Sequence, residues 1–245
     1  MRQIGSVVFW LFVVISSLPL TLCAFIIWAV TAPFDKRRVI LHRFTCFWAS
    51  LYTWTNPAWP VTITGRENIV SGRTYVLVAN HLSLLDILVM FRLFKDFKWV
   101  SKAEIFKVPG IGWNMSLNKY IPLKRGDKAS IAEMMKMSEE TLRSGSSIMI
   151  FPEGTRSKTG EMRDFKRGAF DMARDTDTAI IPIVIQGTSD ALPARGFVLQ
   201  GKHPISVTVL PEVPVSVVES MTTEDLSTHV RTLIADEIAR ERASA

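Results

Sequence analysis

Between Arg2 and Asp35 no residue carries a charge. Residues 4–32 are dominated by valine, leucine, isoleucine, phenylalanine and tryptophan, and about 20 such residues already span the hydrocarbon core of a bilayer. A chain carrying this segment has to place it in a membrane or cover it with protein. A secretory signal peptide would show a shorter apolar run, a stronger basic start and small residues before a cleavage point, so retention is the expectation. Ser16, Ser17 and Pro19 interrupt the segment near its middle. Two arrangements follow: one tilted and kinked span, or two short helices that enter and leave a single leaflet.

Lys36, Arg37, Arg38 and Arg43 come next, opposed only by Asp35. A basic flank of this kind stays cytoplasmic, so the remainder of the chain is expected on that side. Phe44, Phe47, Trp48, Leu51 and Tyr52 then recur at spacings of three and four, and five of the seven tryptophans precede residue 60. Such a stripe suits either headgroup depth or an amphipathic helix packed on a domain. Beside the apolar segment, the membrane surface is the expected place. Residues 1–60 are therefore read as a membrane-anchoring and interfacial segment, and 61–245 as one further domain.

That domain has the composition to bury a core. The 245-residue chain is 48% apolar and 21% charged, which excludes disordered and collagenous classes. Cys23 and Cys46 are the only cysteines, so a disulfide scaffold and an all-cysteine metal site are excluded. The net charge of +6 would suit nucleic acid, but no recognition motif accompanies it and the apolar anchor argues against such a partner. From residue 61 short β-branched runs alternate with helical patterns, the mark of an α/β sheet. Strands are expected over 74–79, 97–101, 120–123, 147–151, 179–185 and 205–210, and helices near 84–94, 130–143, 167–175 and 224–240.

Three blocks could carry chemistry. Asn80-His81-Leu82-Ser83-Leu84-Leu85-Asp86 stands where an apolar strand gives way to an apolar helix, and carboxyl ends of strands are where open α/β sheets bind ligands. With His81 in the turn and Asp86 in the first helical turn, the carboxylate could hold one imidazole nitrogen while the other takes a proton from a hydroxyl. Ser83 and Asp86 are equally spaced for a helix cap. Phe151-Pro152-Glu153-Gly154-Thr155-Arg156 again follows an apolar strand. Gly154 permits a tight turn, and the planar Arg156 fork suits two phosphate oxygens; Lys158, Arg163, Lys166 and Arg167 follow it. The third block holds Lys102, Glu104, Pro109-Gly110-Ile111-Gly112-Trp113 and Arg125, with Lys102 and Arg125 each just past a strand. There is no third glycine of a dinucleotide fingerprint, no P-loop, no Gly-x-Ser-x-Gly and no His-Glu-x-x-His, which removes the main support for nucleotide hydrolysis, α/β-hydrolase chemistry and zinc proteolysis.

Taken together, the Asn-His-x4-Asp and Phe-Pro-Glu-Gly-Thr-Arg blocks, their order and the segments between them resemble the lysophosphatidic acid acyltransferase family of glycerolipid acyltransferases over residues 60–210. The resemblance implies a largely parallel central sheet flanked by helices, with residues 61–245 as the acyltransferase catalytic domain. It implies transfer of a fatty acyl group from acyl-CoA or acyl carrier protein to the sn-2 hydroxyl of 1-acyl-glycerol 3-phosphate, by direct attack and with no metal or cofactor required. His81 would be the general base and Asp86 its orienter. Arg156 would hold the acceptor phosphate, with Glu153 and Gly154 shaping the turn; Thr155, Lys102 and Arg125 complete the expected substrate-binding set, the last two adding charge to the same rim. Arg125 stands in Pro-Leu-Lys-Arg rather than the family's isoleucine–aspartate–arginine. Another lysolipid acceptor on the same fold, or a non-catalytic adaptor that binds anionic lipid, are the rival expectations.

Overall fold

A computed structural model describes residues 2–157 and 159–243. The apolar segment is one continuous helix, α1 (Arg2–Thr31), with Pro19 inside it, so the two-helix alternative is set aside. The polar residues that looked like a break are used for packing. The Ser16 and Ser17 hydroxyls donate back to the Phe12 and Val13 carbonyls (2.6 Å each) and also meet the Tyr52 hydroxyl at 3.2 and 3.0 Å. One stripe of α1, namely Ile4, Val8, Leu11, Ile15, Leu18, Leu22 and Ile26, is 54–71% exposed. The other flank carries the small buried residues Ser6, Thr21, Ala24 and Thr31, which let neighbouring backbone approach. Over its length of about 45 Å this flank touches the rest of the protein from end to end. Leu199 N–H donates to Ser6 Oγ (2.9 Å), Phe9 meets Trp59, Phe12 meets Tyr52, and Phe25 meets Trp113.

α2 (Val39–Trp54) corrects part of the interfacial expectation, because Trp48 and Tyr52 are buried while Phe47 and Trp54 stay exposed. It is keyed to the domain by polar residues. His42 is fully buried, with Nε2 2.9 Å from the Lys95 carbonyl and Nδ1 2.8 Å from the Tyr120 hydroxyl. The carbonyl only accepts, so Nε2 carries the proton and Nδ1 receives the phenol. Burial first, then the charge of Lys98, lowers its pKa to about 3, so the imidazole is neutral in the fold. In the unfolded chain the same group protonates below about 6.5. The unfolded state then binds the extra proton, and stability is expected to fall as pH drops from about 6.5 toward 3. His42→Gln is expected to flatten that slope in denaturant titrations at a series of pH values; a parallel slope would remove His42 as its source.

Among the described residues the sheet has seven strands: β1 (Val61–Thr64), β2 (Val76–Ala79), β3 (Phe97–Lys102), β4 (Ile121–Leu123), β5 (Ser147–Ile150), β6 (Ile180–Gln186) and β7 (Ile205–Val209), in the order β1-β7-β6-β2-β5-β3-β4. Every pairing is parallel except β6 with β7. All six expected strands are present. The seventh, β1, was missed because a four-residue edge strand of alternating half-buried and exposed residues carries little apolar signal.

The helices are α3 (Leu85–Phe91), α4 (Ile111–Leu117), α5 (Lys128–Arg143), α6 (Gly168–Asp175), α7 (Thr188–Ala191), α8 (Val215–Ser220) and α9 (Thr223–Ala243). α3 stops short of its expected end, and Phe94 just beyond adopts a left-handed φ of 52°. α4 forms in spite of its glycines: a side chain at Gly112 would meet the Phe106 carbonyl oxygen at 2.3 Å, so the glycine marks close packing rather than a loop.

The strands' two-residue period divides the core. Leu77, Ala79, Phe97, Trp99 and Met149 face the α1–α3 side, while Val76, Val78, Ile148 and Ile150 face the other, where Phe170 of α6 joins them. β2 and β5 are register partners, with Val78 beside Ile150. The turns that begin at Asn80 and Phe151 therefore leave the sheet side by side, although about 70 residues separate them in sequence.

Candidate active site

Asn80 fixes the first turn. Its side-chain amide donates to the Ile185 carbonyl and its oxygen accepts the Ile185 N–H, both at 2.8 Å, which extends the β2–β6 pairing by one side chain. The chain then turns through His81 to Ser83 and enters α3, where Asp86 is fully buried. A single Asp86 oxygen, Oδ2, accepts from Leu82 N–H (2.6 Å), Ser83 N–H (2.8 Å) and His81 Nδ1 (2.8 Å). Cap and orienter, alternatives in the sequence, are thus the same atom. Because a carboxylate oxygen only accepts, Nδ1 carries the imidazole proton and Nε2 presents its lone pair. Nε2 makes no hydrogen bond among the described residues. The ring is stacked on Phe151, centroids 4.0 Å apart and planes 6° apart, and Ser83 Oγ donates to the Leu192 carbonyl at 2.6 Å. Imidazole, carboxylate and turn are held from three sides.

The second turn reaches the first through Glu153, which the sequence reading placed only as a shaper of its own turn. Its carboxylate accepts from His81 N–H (2.7 Å, Oε1) and Arg163 N–H (3.0 Å, Oε2). Burial pushes its carboxyl above the usual range, while the two backbone donors pull the other way. Ser157 N–H adds a bond to the His81 carbonyl at 2.9 Å. Gly154 has a φ of 70°, and a side chain there would meet the Lys166 Cε and Nζ at 3.0 Å. The glycine thus lets the Lys166 chain lie across the turn.

A cavity of about 650 Å³ runs past His81. Along one part its wall is apolar and built by α1 to α4, including Val13, Trp48, Leu84, Leu88 and Met115. Along another it is basic, with Lys102, Arg125, Lys166 and Arg167 beside Gly154. Lys102 pairs with Glu104 (3.5 Å) and Arg167 with Asp171 and Glu224. Arg125 and Lys166 have no ion-pair partner among the described residues. The cavity is therefore lined by His81, Gly154, Lys102 and Arg125, while Asp86 and Glu153 lie outside the lining, buried and bonded to His81. Thr155 and Arg156 are half-buried on the turn but are not among the residues that line it, and Lys158 lies outside the described residues. Lys166 was passed over as one cation among several; only the crossing of the Gly154 turn singles it out. Among the described residues no cluster of three or more His, Cys, Asp and Glu is placed to hold a metal ion.

Comparison with known proteins follows the same outline. The family described as Acyltransferase matches residues 60–186. A chloroplastic 1-acyl-sn-glycerol-3-phosphate acyltransferase of Arabidopsis thaliana is 43% identical over 162 residues, 65% of this chain and 45% of the relative. A 1-acyl-sn-glycerol-3-phosphate acyltransferase of Chlamydomonas reinhardtii is 35% identical over 196 residues, 79% of this chain and 58% of the relative. The chain thus spans about half the length of these curated relatives. In fold it is similar to the 1-acyl-sn-glycerophosphate acyltransferase of Thermotoga maritima, with a TM-score of 0.79 and 22% identity over 99% of this chain and 98% of that one.

Proposed function

The chain belongs to the acyltransferase family, and from that premise we propose that it moves a fatty acyl group from an acyl thioester to the sn-2 hydroxyl of 1-acyl-glycerol 3-phosphate, giving phosphatidic acid. The observation that carries this reading is one cavity lined together by an oriented imidazole, by apolar residues of α1 to α4 and by the cations Arg125 and Lys166, which have no ion-pair partner among the described residues. Such a wall takes acyl chain, such cations take phosphate, and the base is placed between them for a hydroxyl. The names of the plant and algal relatives favour the same acceptor.

In this mechanism His81 Nε2 takes the proton as the acceptor oxygen attacks the thioester carbonyl carbon. The imidazolium, stabilised by Asp86 through Nδ1, returns the proton to the departing thiolate as the tetrahedral centre collapses. Glu153 acts through the His81 backbone rather than on substrate, as a positioning residue. Lys166 and Arg125 hold the acceptor phosphate in the cavity, and Arg156 reaches it from the turn. The donor is acyl-CoA or an acyl carrier protein.

Residues 1–60 seat the protein on the membrane. Because the inner flank of α1 is covered from end to end, α1 lies within one leaflet along its exposed stripe, with residues 61–245 on the cytoplasmic side. A helix crossing the bilayer would have to draw α2 and α4 in with it.

The test is initial rates with purified protein, a panel of lysolipid acceptors and both thioester donors. Turnover selective for 1-acyl-glycerol 3-phosphate is expected; preference for an uncharged or zwitterionic lysolipid would replace the acceptor, and no turnover at all would favour an adaptor. Within the same assay Arg156→Lys and Lys166→Ala are each expected to raise the acceptor KM about tenfold, the scale of one lost charge-assisted contact, and to leave the donor KM nearly unchanged. A rise confined to the donor KM would reverse the assignment of the two ends of the cavity.

A further inference from the structure

The segment between α7 and β7 arches over the first turns of α1. Its tip, Phe197 and Val198, is 66% and 39% exposed, an unusual place for two consecutive large apolar residues. The tip is held there by design of the backbone. Trp10 Nε1 on α1 donates to the Phe197 carbonyl at 2.7 Å, the Trp10 and Phe197 rings meet edge to face at 5.6 Å, and Leu199 N–H donates to Ser6 Oγ at 2.9 Å. Gly196 and Gly201 flank the tip with φ of 97° and 109° and with no atom within 4 Å of a built side chain, so they supply the turns and face open space. Between the segment and α1 lies a pocket of about 560 Å³ lined by Gly5, Phe9, Trp59 and Leu199 among others. Charge completes the pattern. From residue 191 to residue 211 there is no Asp or Glu, while Arg195 and Lys202 stand exposed on either side of the tip with no ion-pair partner among the described residues.

We infer that the Phe197–Val198 tip is a second membrane anchor that inserts beside α1 into the same leaflet, with Arg195 and Lys202 at the level of anionic headgroups. Continuity argues for lipid as the occupant. The tip is bonded to the part of α1 whose outer face, Ile4, Val8 and Leu11, is aliphatic and 54–70% exposed, and apolar residues flanked by cations are what an anionic interface retains. The inference rests on the one-leaflet seating of α1 proposed above.

The experiment separates the two. In full-length protein carrying Cys23→Ala, the buried Cys46 is shielded from reagents, and single cysteines at Phe197, Leu11 and Ser220 take an environment-sensitive fluorophore. The probe is a phosphatidylcholine/phosphatidylglycerol vesicle with a fraction of lipid spin-labelled in its acyl chain. Quenching of at least twofold is expected at 197 and 11 and none at 220, which lies with α8 on the other side of the sheet. Quenching at 11 but not at 197 overturns the second anchor and leaves the seating of α1; that is the result if a second copy of the chain covers the tip. No quenching at 11 overturns the seating and the anchor with it. In addition, Phe197→Asp with Val198→Asp is expected to reduce vesicle binding at least tenfold while turnover on detergent-dispersed acceptor stays within twofold of the parent. Unchanged vesicle binding overturns the inference.

Discussion

Replacing His81 with alanine is expected to reduce acyl transfer by at least 10²–10⁴-fold, the range that a positioned general base contributes, with the fold retained. Asp86 makes the sharper experiment. Its Oδ2 holds both the imidazole and the backbone of residues 82 and 83, so two substitutions separate its two tasks. Asp86→Asn keeps an oxygen in that place and with it the turn, but removes the negative charge that favours the imidazolium; kcat is expected to fall about 10²-fold or more with little change in Tm. Asp86→Ala also abandons the two backbone donors, each worth about 1 kcal/mol when left unpaired, and is expected to lower Tm by a further 4–8 °C, roughly, for a chain of this length. Full activity in Asp86→Asn would leave the carboxylate as a turn-holder and remove it from catalysis.

The second large effect lies on the outer stripe of α1. Deleting residues 1–35 would be a poor test of membrane seating, because it strips the cover from Trp48, Tyr52 and Leu41 and takes Trp10 and Val13 out of the cavity wall. Substituting lysine at Leu11, Ile15, Leu18 and Leu22 leaves those contacts in place, since each side chain is more than half exposed. At roughly 1 kcal/mol per site, below the 1.5–3 kcal/mol of full burial because part of each side chain already touches protein, partition into vesicles is expected to drop about 10³-fold. Turnover on detergent-dispersed acceptor is expected to remain, and vesicle flotation beside a detergent assay reads both. Undiminished flotation would mean that another surface carries the membrane contact.

The sheet was legible because its strands are short, apolar and strongly β-branched, and their buried positions alternate between two cores. β1 was not, since half of its side chains face solvent, and α4 was hidden by glycines that serve packing. Within the site, His81, Asp86 and the Glu153-Gly154 turn were visible as blocks at strand ends. Their joining was not visible, because it depends on β2 and β5 being neighbours, a matter of strand order that no local pattern encodes. The bond from Glu153 to the first turn was missed for the same reason: its partners, the backbone N–H groups of His81 and Arg163, have no side-chain signature. Asn80 was visible only as the first residue of its block, and the strand-extending use that its two bonds to Ile185 show was assigned by no sequence reading.

The bonds that tie the two turns together have a consequence for how this chain can be recombined with its relatives. Glu153 to His81 and Ser157 to His81 make residues 80–86 and 151–157 a single inheritance unit, divided in the gene but undivided in space. A chimaera that exchanges the intervening stretch with a crossover at each end leaves the unit whole, whereas one with a single crossover between residues 87 and 150 draws its two halves from different parents and must match them afresh.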